Sequence, residues 1–281
     1  MGKNSKSSGL IQIIRKKNRN ESAEPLESYG SVRASSYHSL CAREEVLRSL
    51  HKVVRPSVVN ADQLLTFNHG TGLHYAIQNE VLPDLGILYG SWLCLHCGVV
   101  YGAQNGRESV LESAVLRPLD CECGSPEFLF REYALSNGKY GITGHCDGLI
   151  KLPGREGFGV FEAKSIGAYQ AHRLTDGPKP EHVLQVHVYM WLLYLRWSLI
   201  LYWNKSGDGV SALTEFIVER DDRVVSEIQA NLESLRVGLS GGDLPQRVCK
   251  ASDCDRALSC CVRTFCFEGH VPKKDAYGDL F

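Results

Sequence analysis

The sequence predicts an α/β domain, a central mixed sheet flanked by helices, and three stretches predict it. Gly141 to Lys151 (GITGHCDGLIK) and Phe158 to Ile166 (FGVFEAKSI) read as strands, joined into a hairpin by the Pro/Gly-rich turn Leu152 to Gly157. Glu181 to Leu195 reads as a buried helix. A strand pair follows, Leu199 to Asn204 and Thr214 to Arg220 (TEFIVER), around the turn Lys205 to Gly209.

In chain order, residues 1–27 read as a flexible basic tail, and residues 28–87 as a helical lead-in that includes a helix over Gly70 to Glu80 (GTGLHYAIQNE). Residues 88–130 form an insertion, and residues 131–239 the α/β core. The core closes with a helix from Asp222 to Leu239 that carries Ile228, Leu232, Leu235 and Val237 among its apolar positions; residues 240–281 are cysteine-rich. At 281 residues and 43% hydrophobic content the chain can bury a sizeable core. The most apolar run, His182 to Trp203, is interrupted by His182, Gln185, His187 and Arg196, which argues against a membrane span. The first residues hold a short apolar patch, Leu10 to Ile14, with basic residues on its far side; this is no signal peptide, so a cytoplasmic location is expected, the host's if the chain is viral. A net charge of −1 means that any nucleic-acid surface must be a local patch.

The hairpin sets Asp147 fifteen residues before the triplet Glu162-Ala163-Lys164. Side chains alternate along a strand, so Glu162 and Lys164 share one face and Asp147 on the neighbouring strand can sit beside them. Two carboxylates can hold Mg or Mn while leaving positions for a phosphate oxygen and a water, which Lys164 would orient or help to deprotonate. His145 shares the face of Asp147, where it could approach the metal or phosphate or simply support the ligands.

Eleven cysteines, in clusters, favour metals over disulfides in an intracellular chain. Cys94-Leu95-His96-Cys97 and Cys121-Glu122-Cys123, each followed by glycine, look like the two knuckles of a zinc ribbon. The second is C-x-C rather than C-x-x-C, which leaves His96 as a substitute ligand. A closed four-ligand site of this kind is structural. A second cluster holds Cys249, Cys254, Cys260, Cys261 and Cys266.

The triplet, the Gly144-x-x-Asp147 segment, the Gly70-x-x-x-His74 helix and the pair Gln185 and Tyr189, spaced as Q-x-x-x-Y, together resemble the PD-(D/E)XK nuclease superfamily, specifically its RecB-like exonuclease branch. The match spans most of Ser35 to Phe267. Cys146 stands where the superfamily name places proline, a departure common in this branch. The resemblance implies a restriction-endonuclease-like fold and a metal-dependent DNA exonuclease acting on linear or single-stranded ends in recombination, repair or phage DNA processing, with a recombination or helicase partner. It implies His74, Asp147, Glu162 and the carbonyl of Ala163 as ligands of Mg or Mn, Lys164 as the residue that positions water, and Gln185 and Tyr189 as holding substrate. Ser35 to Arg43 (SSYHSLCAR) resembles the opening segment of iron–sulfur members of the branch. By that resemblance Cys41, Cys249, Cys260 and Cys266 ligate a 4Fe-4S cluster that clasps the two ends of the chain, with Cys254 and Cys261 as spares and zinc as the rival metal. The competing functional class is a catalytically silent DNA-binding or assembly module that keeps the fold and uses its zinc and iron–sulfur centres as scaffold.

Overall fold

A computed structural model describes residues 30–55, 61–102, 111 and 113–269. The predicted basic tail lies outside the described residues. The centre is a five-stranded mixed sheet of β2 (Leu88–Tyr89), β8 (Gly148–Ile150), β9 (Gly159–Ile166), β10 (Trp197–Asn204) and β11 (Leu213–Glu219), ordered β11-β10-β9-β8-β2. Only β9 and β10 run parallel; the other neighbours are antiparallel. A three-stranded sheet, β1 (Val32–Arg33), β7 (Ile142–Cys146) and β6 (Tyr133–Asn137), abuts it in the order β1-β7-β6. A third sheet belongs to the insertion: β3 (Ser91–Cys94), β4 (Val100–Tyr101) and β5 (Phe128–Arg131), ordered β4-β3-β5. Leu88 and Tyr89 pair with β8, so the insertion's own strands begin at Ser91.

Alternation along β10 explains why its sequence is apolar throughout. Ile200 and Tyr202 enter one core with α5 (Pro180–Leu193) and α6 (Asp222–Leu239), while Leu199, Leu201 and Trp203 enter a second core on the opposite face with Trp92, Phe128 and Phe130 of the insertion. A sheet covered on both faces needs apolar residues at every position. The helix α5 starts at Pro180, whose fixed φ suits a first turn, and α6 is capped by the Asp221 carboxylate, which accepts the Arg223 amide at 2.8 Å.

The predicted hairpin is present as β8 and β9, but its first strand is not continuous. β7 pairs with β6, and β8 pairs with β9. The chain changes sheets at Asp147. Gly148 makes the switch with φ of +152°, and a Cβ there would stand 2.5 Å from Leu88 Cδ1. In the sequence the switch shows only as Gly148 and the loss of alternation at Leu149 and Ile150, so the segment reads as one strand.

The remaining helices are α1 (Ala42–His51), α2 (Ala61–Ala76), a π turn at Ile77–Val81 leading into α3 (Leu82–Asp84), α4 (Ala168–His172), and the short α7 (Asp255–Leu258) and α8 (Arg263–Glu268). The last two return to the start of the described chain. Arg256 donates to the Ser39 carbonyl at 2.8 Å, Arg43 to the Pro245 carbonyl at 2.9 Å, and His51 stacks on Phe265 at 4.0 Å.

Candidate active site

Asp147 is buried at the sheet switch, and its Oδ2 accepts the amide of Ala163 at 2.7 Å. That bond locks the carboxylate beside β9, where Glu162 faces α5. Gln185 Nε2 donates to Glu162 Oε1 at 2.8 Å and lies 3.0 Å from the Tyr189 hydroxyl. The Tyr189 hydroxyl donates to the His145 carbonyl at 2.7 Å, pinning α5 to β7. The close approach requires a glycine at 144, where a Cβ would stand 2.7 Å from the Tyr189 ring. Lys164 Nζ lies 2.5 Å from Glu162 Oε1, and His74 Nδ1, from the last turn of α2, 3.3 Å from Asp147 Oδ1.

Glu132 was missed in the sequence, where it is a single acid between two apolar segments, FLFR and YALSN, and belongs to no spaced motif. Its position at the break between β5 and β6 turns it toward the site, and ligand atoms of His74, Glu132 and Asp147 lie within 4.8 Å of one another. Gln78, on the π turn, was also missed: its Nε2 donates to the Asp147 carbonyl at 2.9 Å and reaches Glu132 Oε1 at 3.5 Å. Extra residues in a π turn commonly re-aim side chains at functional sites. The Ala163 contact shown is through its N–H.

The charges are strongly interdependent. Burial, reinforced by Asp147, pushes the Glu162 carboxyl up to about 8, with Lys164 and His74 pulling it back. Burial works against charge on Lys164, but Glu162 and Asp147 outweigh it and hold the ammonium above its ordinary range. Burial likewise opposes charge on His74, and its hydrogen bond and attraction to Asp147 raise its pKa. Glu132 is raised by burial and by Asp147. Glu162 Oε2 is buried and has no hydrogen-bond partner among the described residues. All six motif residues, His74, Asp147, Glu162, Lys164, Gln185 and Tyr189, line one cleft of about 710 Å³, together with Glu132, His145 and Arg33. The guanidinium of Arg33 is exposed on β1 and makes no ion pair among the described residues.

The cysteines fall into two places. In the insertion, the sulfurs of Cys94, Cys97, Cys121 and Cys123 lie within 4.8 Å of one another, with Cys94 and Cys123 at 3.7 Å and Cys97 and Cys121 at 3.5 Å. Two tight turns present them, closed by Gly98 N–H to the Cys94 carbonyl at 3.0 Å and by Gly124 N–H to the Cys121 carbonyl at 2.7 Å. The Cys123 backbone amide and the Tyr101 hydroxyl draw the Cys121 thiol down to about 6. His96 is exposed and outside this group. At the other end, Cys41, Cys249, Cys260 and Cys266 line one small cavity between α1 and the closing helices. Cys254 and Cys261 do not line it, and the Cys261 thiol is 3.8 Å from Glu44.

No protein-family model and no curated protein sequence matches the chain. Among solved structures, an alkaline exonuclease (LHK-Exo) from Laribacter hongkongensis aligns with 76% of this chain and 89% of its own, at 15% identity and a TM-score of 0.47. Its complex with dAMP aligns over the same shares at 16% identity and a TM-score of 0.45. A phage-related exonuclease from Haemophilus somnus 129PT aligns with 76% of this chain and 95% of its own, at 13% identity and a TM-score of 0.36. The likeness is distant. No helix among the described residues is long and apolar enough to cross a membrane.

Proposed function

We propose that this chain is a divalent-metal-dependent nuclease that hydrolyses phosphodiester bonds of DNA, working from linear or single-stranded ends. One observation carries the reading: the buried Glu162 Oε2 has no donor, in a cleft where His74, Glu132 and Asp147 already converge. A buried, unpartnered carboxylate oxygen is costly, and a hard cation is the partner that this set of carboxylates and imidazole fits. His74, Asp147 and Glu162, with Glu132 and the carbonyl of Ala163, would hold one or two Mg or Mn ions. Such an ion, when bound, stabilises charge building on the phosphate and acidifies water.

The side chains do the positioning. Gln185 fixes Glu162 through Oε1 and so leaves Oε2 for the cation. Lys164, held as an ammonium by its acidic neighbours, orients the attacking water and the phosphate. Tyr189 holds Gln185 and the β7 backbone in register. Arg33 offers an unpaired positive charge to the strand on the cleft's outer wall. DNA as the polymer, and its ends as the point of attack, follow from the motif resemblance.

The cysteine groups fit two different metals. A tetrahedral zinc at about 2.3 Å from each sulfur sets sulfurs about 3.8 Å apart, close to the 3.5 and 3.7 Å separations in the insertion. Cys94, Cys97, Cys121 and Cys123 would hold that zinc. Cys41, Cys249, Cys260 and Cys266 surround a cavity without drawing three sulfurs within 4.8 Å among the described residues. Thiols spaced around a cavity suit the corners of a 4Fe-4S cluster better than a single ion.

The test is degradation of end-labelled linear DNA with Mg or Mn, with circular DNA as control. Wild-type protein should degrade the linear substrate, and Glu162→Ala or Lys164→Ala should bind it without degrading it. Mg-dependent activity retained in purified Glu162→Ala would overturn the proposal, as would wild-type binding without cleavage.

A further inference from the structure

We infer that the ribbon insertion forms a wall of the substrate channel, with Tyr75 stacking on a base and Arg131 holding a phosphate of the DNA strand beyond the scissile bond. The substrate class rests on the nuclease reading; the placement rests on a second cleft. This cleft, of about 480 Å³, shares His74, Glu132, Ala134 and His145 with the cleft that holds the carboxylates, so the two open into each other at the candidate metal position. Its walls are the last turns of α2 (Thr71 and Tyr75) and strand β5 of the ribbon (Leu129 and Arg131).

Both wall residues are free to take a ligand. Tyr75 is 52% exposed, and neither its hydroxyl nor the exposed Arg131 guanidinium has a partner among the described residues. An aromatic face and an unpaired guanidinium across one cleft are the groups by which proteins hold single strands, the first on bases and the second on phosphates. The cleft, of small-ligand size, is large enough for a splayed nucleotide.

The wall is also fixed relative to the reacting centre. Asn79 Oδ1 accepts the Phe130 amide at 2.7 Å while its Nδ2 donates to the Tyr75 carbonyl at 3.1 Å, tying β5 to the π turn. Trp92 and Phe130 of the ribbon share a core with Phe161 and Ala163, which flank Glu162 on β9. A ribbon that served only to hold an ion would need neither the shared core under the cleft nor a bare cation above it.

The experiment measures Kd for a fluorescent single-stranded oligonucleotide in buffer without Mg, Mn or chelator, so that the ribbon keeps its ion, and KM and kcat for its cleavage in Mg, for wild type, Tyr75→Ala, Tyr75→Trp and Arg131→Ala. Stacking of one base corresponds to about a five- to hundredfold change in affinity. Tyr75→Ala should therefore weaken binding by about tenfold, with the loss falling on KM, and Tyr75→Trp should restore it. Arg131→Ala should weaken binding and reduce the slope of log affinity against log salt by about 0.7. Kd and KM within about twofold of wild type in both alanine variants would overturn the inference. So would a loss in Tyr75→Ala that Tyr75→Trp does not restore. Wild-type binding without cleavage in Mg or Mn would instead sink the nuclease reading, and the binding series without Mg would still decide the role of the ribbon.

Discussion

Glu162 is held between a lysine that wants it ionised and a buried, acidic setting that wants it neutral. Its folded pKa, pushed up to about 8, lies above the roughly 4.3 of an unfolded glutamate. In metal-free protein the stability from this group is therefore complete below about pH 4.3 and is lost as pH rises through about 8. Thermal melting without added Mg or Mn, and without chelator, should fall between pH 6 and pH 8.5, and Glu162→Gln should flatten that dependence. Mg should raise the melting temperature more at pH 8.5 than at pH 6, since the cation binds the ionised form. The same Glu162→Gln substitution should reduce cleavage by at least about a hundredfold, read as initial rates on linear DNA. His74, Asp147, Glu162, Lys164, Gln185 and Tyr189 were legible because each sits at a fixed offset from another chemical residue. Glu132 and Gln78 had no such company. Only the strand break and the π turn bring them to the site, and neither leaves a residue-type signature.

At the scale of elements, the switch between β7 and β8 sets Asp147 where two sheets meet, with a Gln78 contact on its backbone and an Ala163 contact on its side chain. Gly148→Ala should cost about 1–3 kcal/mol, from a positive φ and a methyl group driven against Leu88, as read by urea unfolding of metal-free protein. The helix α5 and the pair β10 and β11 matched their sequence reading because the length of each apolar run and the turn Lys205 to Gly209 mark such elements locally. The switch escaped because its cause is tertiary, the packing of Leu88 against Gly148.

For the whole molecule, the cysteine groups make separable predictions. Cys97→Ser should remove about one equivalent of zinc per chain, measured by elemental analysis, and leave the iron content intact. Cys41→Ser or Cys260→Ser should abolish the visible iron–sulfur absorbance, whereas Cys254→Ser and Cys261→Ser, at positions outside the cavity, should retain it. Loss of absorbance in Cys254→Ser with retention in Cys249→Ser would reassign that ligand. That Cys94, Cys97, Cys121 and Cys123 come together was readable from their spacing. Which distant cysteines face one another was not, since that depends on α7 and α8 folding back across α1.

The fold-back bears on the order in which the centres can be filled as the chain is made. Ser39 and Arg256 are joined across 217 positions, so the cavity of Cys41 has its remaining walls only after nearly all of the described chain has been synthesised. Cys94 and Cys123 lie only 29 positions apart, on turns joined by the strands β3, β4 and β5. On the proposed metal assignments, all ligands of the insertion's ion are therefore made well before the last walls of the iron–sulfur cavity.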